Sequence, residues 1–169
     1  MFAKSDHSSL RIFRALARTA MLAGVLGIAT SFALASPARA DRCDDLAAAL
    51  KSQIDGVTIG KTVANVIYLS HPAAKSLRLG CPSRTIKNEV FGIAPTRKPS
   101  AAFQDVIASA AAIVFTIPKS DTLRGVKRCF GRVGLLRGND VQSRFRRLDM
   151  RCIRGKAESS ISVSRSNAE

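Results

Sequence analysis

Between Ala101 and Ile117 the chain reads AAFQDVIASAAAIVFTI, and Phe103, Val106, Ile107, Ala110, Val114 and Ile117 recur at spacings of three and four. Those positions share one helical face. Ala108, Ala111 and Ala112 keep much of the remaining surface small, which suits a helix pressed closely against a sheet. Pro99-Ser100 precedes the run, and a serine hydroxyl there can accept a bond from an exposed backbone N–H. Gln104 and Asp105 are expected in the first turn, where the helix dipole favours negative charge. Pro118 stops the helix, which at full length spans roughly 25 Å. This is a core element without chemistry of its own.

Other segments carry the two expected periodicities. Asp44-Asp45 opens a short amphipathic helix with Leu46, Leu50 and Ile54 four apart, and Gly56 is its natural stop. Thr62 to Leu69 is apolar on both faces and rich in β-branched residues, the pattern of a central strand ended by Ser70-His71-Pro72. Ala73 to Pro82 is ambiguous and closes on a Gly80-Cys81-Pro82 turn, while Ile86 to Ile93 reads as a further short strand. Ala94 to Pro99 holds two prolines in six residues and reads as a loop. Asp121 to Val133 has a helical stripe of Leu123, Val126, Phe130 and Val133, weakened at Gly125 and Gly131 by about 1 kcal/mol each relative to alanine. Gly138-Asn139-Asp140 is turn chemistry.

Arg144 to Arg154 alternates as a strand, with Leu148, Met150 and Cys152 opposite Arg147, Asp149 and Arg151. Gly155 to Glu158 turns the chain, and Ile161 and Val163 alternate with Ser160, Ser162 and Ser164 in a last strand before a frayed tail. The expected fold is α+β in a single small domain. A mostly antiparallel sheet of about four strands is packed by one long and one or two short helices and stabilised by disulfides.

The N-terminus changes the compartment in which this fold is read. Lys4, Arg11, Arg14 and Arg18 precede an apolar run from Thr19 to Ala35, which leads into Ser36-Pro37-Ala38-Arg39-Ala40. That is the layout of a secretory signal peptide over 1–40, with cleavage expected after Ala40. The run is short for a full membrane span. No Arg-Arg pair marks a twin-arginine route and no lipobox precedes Cys43. The Ala/Arg-rich leader resembles those of exported proteins from high-GC bacteria, which implies a periplasmic address in a Gram-negative cell without implying an activity. The exported domain is then 41–169, with no second run long enough to span a bilayer.

Removing 1–40 takes five of the 27 basic and one of the 12 acidic residues, so the mature chain holds 22 and 11, a net charge of +11. All four cysteines, Cys43, Cys81, Cys129 and Cys152, lie in this part. An even count in an exported chain reads as two disulfides, with three pairings open.

Several motifs fail on spacing or context. Gly56-Val57-Thr58-Ile59-Gly60-Lys61-Thr62 has three residues between its glycines where a phosphate-binding loop needs four, and a strand follows it where a helix is required. His71 is the one histidine after residue 40, which limits acid–base chemistry, and no Gly-x-Ser-x-Gly elbow accompanies it. The bland reading of His71 is a polar residue closing a strand. Cysteine intervals of 38, 48 and 23 residues do not match a metal site. No acidic pair stands out for glycoside cleavage. The sequence therefore nominates no catalytic residue, no metal ligand and no cofactor.

What remains is charge. Lys119 to Lys156 holds twelve basic and three acidic residues. Arg124, Arg128 and Arg132 recur every four residues on one helix, and Arg144, Arg146, Arg147, Arg151 and Arg154 follow along the expected hairpin. These eight are the candidate anion-binding residues, because guanidinium groups offer planar two-pronged bonds to phosphate and carboxylate. Sparse aromatics disfavour nucleic acid as partner. Lipopolysaccharide, anionic lipid or glycan, or an acidic protein suits an exported chain better. Three classes stay open: a non-enzymatic binding or accessory module, a structural or stress-related envelope protein with no specific ligand, and an enzyme with an unmarked site.

Overall fold

Seven strands among the described residues form two antiparallel meanders that join into one sheet, and burial alternates along them except in the first, Thr58–Val63, which is exposed throughout. The computed structural model describes residues 38–82, 88–134 and 137–165, all within one compact unit that begins at Pro37. The leader up to residue 37 lies outside the described residues, as do Ile86 of the expected fourth segment and the tail 166–169. The order is α1 (Ala38–Gln53), β1 (Thr58–Val63), β2 (Val66–His71), β3 (Ala74–Gly80), β4 (Glu89–Ala94), α2 (Ala101–Phe115), α3 (Lys119–Arg132), β5 (Asp140–Phe145), β6 (Leu148–Arg154) and β7 (Ser159–Arg165). Strands β1 to β4 run as successive hairpins, α2 and α3 follow, and β5 to β7 form the second meander. Because β7 pairs with β4, the sheet order is β1-β2-β3-β4-β7-β6-β5, antiparallel throughout.

The α+β architecture agrees with the sequence, but among the described residues seven strands stand where about four were expected. The stretch Thr62–Leu69 is not one central strand. It is broken at Ala64-Asn65, both at positive φ (48° and 64°), and β1 is the edge of the sheet. Two consecutive left-handed residues make a tight hairpin turn. The ambiguous stretch after Ala73 is β3. The second correction lies at Arg144–Arg154, where Arg146 at φ 55° turns the chain and splits the expected strand into β5 and β6. Leu148, Met150 and Cys152 do face the core, and Ile161 and Val163 alternate with half-buried serines on β7. α1 starts six residues before Asp44, since nothing in Ala38–Cys43 breaks a helix.

All three helices cover one face of the sheet. Ser100 caps α2 by accepting a hydrogen bond from the Phe103 N–H at 3.1 Å, and Thr116 closes it in the left-handed conformation. Asp105 lies one turn further in than the sequence suggests and forms an ion pair with Lys119 at 2.8 Å. α2 sits closely over β4 because Gly92 has no side chain: a Cβ there would collide with Ile107 and crowd Phe103. α3 approaches β6 in the same way, with Gly125 against Met150. The Thr122 hydroxyl donates to the Ala108 carbonyl at 2.8 Å and ties the two helices together.

Two disulfides resolve the open pairing. Cys43–Cys81 ties α1 to the end of β3, and Cys129–Cys152 ties α3 to β6, with Cα separations of 5.8 and 6.0 Å. They close loops of 38 and 23 residues, for which chain entropy alone gives roughly 3–4 kcal/mol each. Replacing either pair by alanine, or adding reductant, is expected to lower the melting temperature markedly; identical melting with and without reductant would show that the bridges are not needed. Gly92→Ala is expected to destabilise by about 1–3 kcal/mol through overpacking. A variant melting at or above the parent would mean that α2 can shift to make room.

Candidate functional site

The three acidic residues between Lys119 and Lys156 sort the eight candidate arginines. Asp121, buried near the start of α3, accepts a hydrogen bond from Arg124 and forms an ion pair with Arg146 at 3.1 Å. Asp149 accepts from Arg144 at 3.0 Å. Asp140 accepts from the Arg151 Nε at 2.9 Å. Arg154 lies on the core side of β6 and donates to the Phe130 carbonyl at 3.3 Å, in the last turn of α3. Arg165 does the same for α2 through the Phe115 carbonyl at 3.0 Å. A cation at a helix C-terminus satisfies an orphan carbonyl and complements the dipole. Arg128, Arg132 and Arg147 are left without a carboxylate partner among the described residues.

These groups do not form one patch. Asp140, Gln142 and Arg144 on β5 alternate with buried Val141 and Ser143, and Asp149 and Arg151 alternate with buried Met150 and Cys152. Arg144 and Arg151 therefore project from the sheet face that the helices leave uncovered. Arg124, Arg128 and Arg132 ride on α3, on the opposite face. The α3 group gains two members absent from the sequence-based set, Lys127 beside Arg128 and Arg137 in the following turn. Charge crowding is felt there: Arg132 is held below its ordinary pKa mainly by Arg128, then by burial, then by Arg137. That triplet has no counter-charge among the described residues. Lys127 was visible as a basic residue on the same helix, whereas the proximity of Arg137 depends on how the chain leaves α3.

The remaining candidates take structural roles. The Ala73 N–H donates to His71 Nδ1 at 3.0 Å, so Nε2 carries the ring proton and donates to the Asp55 carbonyl at 3.0 Å. A groove of 290 Å³ does border His71, with Asp55, Asp105 and Lys119 in its wall. However, both imidazole nitrogens are engaged by backbone and Asp105 is paired with Lys119. The sequence Gly56–Thr62 runs from a left-handed glycine into edge strand β1, and no helix starts there to receive a phosphate. Among the described residues no three His, Cys, Asp or Glu side chains converge. All four cysteines are in disulfides.

The chain matches no protein-family model, no curated protein and no solved structure. Among the described residues no helix is long and apolar enough to cross a membrane.

The Asp140–Arg151 pair offers a direct check of the sheet-face electrostatics. The hydrogen bond from Arg151 holds the Asp140 carboxyl below the usual 3.8, with partial burial opposing it. A lowered folded pKa stabilises at pH values above the unfolded one and is lost as pH falls through the folded one. The stability difference between the parent and Arg151→Gln should therefore be complete at neutral pH and shrink below 3.8. Carboxyl-carbon NMR should show Asp140 titrating higher in the variant; an unchanged titration would mean that the pair does not persist in solution.

Proposed function

We propose that this protein is an exported, non-enzymatic binding or accessory module that engages an anionic component of the cell envelope through the outer surface of α3. The observation that carries the reading is the placing of Arg128 and Arg132 one turn apart on α3, neither of them paired with a carboxylate among the described residues. Like charges held together raise the free energy of the unbound state, and a polyanion relieves it. Arg124 and Arg146, by contrast, share Asp121 and serve to fix the start of α3 against the β5–β6 turn. Arg147, exposed in that same turn, has no carboxylate partner among the described residues.

The export part of the proposal rests on the signal-like leader and on two disulfides, which persist in oxidising compartments. The partner is described by chemistry: closely spaced phosphate, carboxylate or sulfate groups, as on lipopolysaccharide, an acidic lipid surface or an acidic glycan. Guanidinium groups suit all three because they bond two oxygens at once.

Binding of the purified protein to lipopolysaccharide, phosphatidylglycerol vesicles and an acidic polysaccharide across a salt series tests this reading. Saturable binding to one of them is expected to survive at about 150 mM salt, where charges beyond about 8 Å are screened. Arg128→Ser with Arg132→Ser is expected to weaken it at least about tenfold, since bonds to charged groups contribute roughly 1.5–3 kcal/mol each. Arg144→Ser, on the other face, should leave it unchanged. Equal weakening by both sets, or binding that vanishes for every probe by moderate salt, would reduce the ridge to generic charge.

A further inference from the structure

The uncovered face of the sheet carries a second surface, whose groove along β5 to β7 pairs its cations with carboxylates. Strand register aligns Tyr68, Arg78, Phe91, Ser162, Arg151 and Gln142 in one row, a single residue from each of β2, β3, β4, β7, β6 and β5. At its β2–β4 end, cations lie over aromatic rings. Lys61 Nζ is 5.6 Å from the Tyr68 ring centre and Arg78 Cζ is 4.1 Å from that of Phe91. At its other end the row enters a groove of 430 Å³ along β5, β6 and β7, whose wall includes Gln142, Arg144, Asp149, Arg151, Ser162 and Ser164.

The charge in this groove cancels. Arg144 bonds to Asp149 and Arg151 to Asp140, so two cations meet two anions. All four side chains nevertheless keep between 44% and 66% of their surface exposed. Each pair holds its guanidinium plane and carboxylate in a fixed relative geometry, with donors and acceptors still open to solvent. A polyanion finds no net attraction there. The complementary ligand is uncharged and carries many groups that both donate and accept, which is the chemistry of sugar hydroxyls. Planar Arg, Asp and Gln side chains bond adjacent hydroxyls two at a time; the Ser162 hydroxyl already donates to the Glu89 carboxylate and keeps only its lone pairs for a sugar, while Ser164 can donate or accept. Neighbouring strands lie about 4.8 Å apart, close to the length of one sugar ring, so successive rings of a chain laid across the strands meet equivalent positions.

We propose that this sheet face binds an uncharged oligosaccharide, laid along the row from the β5–β7 groove towards Phe91. The surface is on the far side of the sheet from the α3 ridge, and its test is independent of the polyanion reading. Gln142 and Arg151 bond the sugar hydroxyls, and Asp140 keeps the Arg151 guanidinium oriented for them.

The experiment is a calorimetric titration of the purified protein with uncharged tetrasaccharides of β-linked glucose, β-linked N-acetylglucosamine and α-linked glucose. It is run at about 50 and about 500 mM salt. Saturable binding to one of the three, equal at both salt levels, is expected. Gln142→Ala, which removes an exposed side chain, and Arg151→Gln should each weaken it about tenfold, while Arg128→Ser should not change it. Melting curves establish that the variants are folded. No saturable binding to any tetrasaccharide overturns the proposal, as does binding that falls with salt or is indifferent to both sheet-face variants. Loss of sugar binding in Arg128→Ser would also overturn it, by moving the site to the helical side.

Discussion

The close approach of α2 to Gly92 is what allows two separate meanders to become one sheet. β4 is the last strand of the first meander and pairs with β7, the last of the second, so the seam lies between strands far apart in sequence. A helix standing further off would leave that seam open to water. With no Cβ at Gly92, Ile107 and Phe103 reach the sheet beside the junction, and both are fully buried. Burial of two such side chains contributes roughly 3–6 kcal/mol, on the scale of a small domain's whole net stability. The short link from α2 to α3 then places α3 over β5 and β6, with Gly125 repeating the device against Met150.

The electrostatics follow from this layering. One sheet face is covered by helices, so strand residues of one parity enter the core and those of the other face solvent. Arginines on the solvent parity of β5 and β6 stand beside aspartates across the pair or along the strand, and ion pairs form almost unavoidably at cross-strand distances. Arg128 and Arg132 on α3 have no such neighbour among the described residues, because the one acid on that helix, Asp121, is taken by Arg124 and Arg146. A similar residue type thus does three things according to its position. It anchors on Asp121, it closes helix ends at Arg154 and Arg165, and it remains unneutralised at Arg128 and Arg132.

Much of this architecture was legible in the chain. The helical spacing of Phe103, Ile107, Ala110 and Val114 marked α2, and strict alternation through Ile161 and Val163 marked β7. Missed boundaries share a cause: the turns at Ala64-Asn65 and Arg146-Arg147 contain neither glycine nor proline. Asn65 is the one local signal there, since asparagine tolerates the left-handed conformation, whereas Ala64 and Arg146 carry none. Runs such as Thr62–Leu69 and Arg144–Arg154 therefore read as single strands. The arginine candidates were correctly seen as abundant, but their sorting needed tertiary distance. Nothing near Arg146 in sequence reveals that its partner is Asp121, 25 positions earlier, or that Arg154 reaches Phe130.

The two disulfides join consecutive cysteines, first to second and third to fourth, and each closes within one of the two meanders and its helix. A chain that meets oxidant from its N-terminus onward presents Cys43 and Cys81 together before either later thiol arrives. Order of appearance and correct pairing then coincide, so the native connectivity needs no reshuffling. The seam between β4 and β7 lies between the two halves that these bridges close, and no disulfide crosses it.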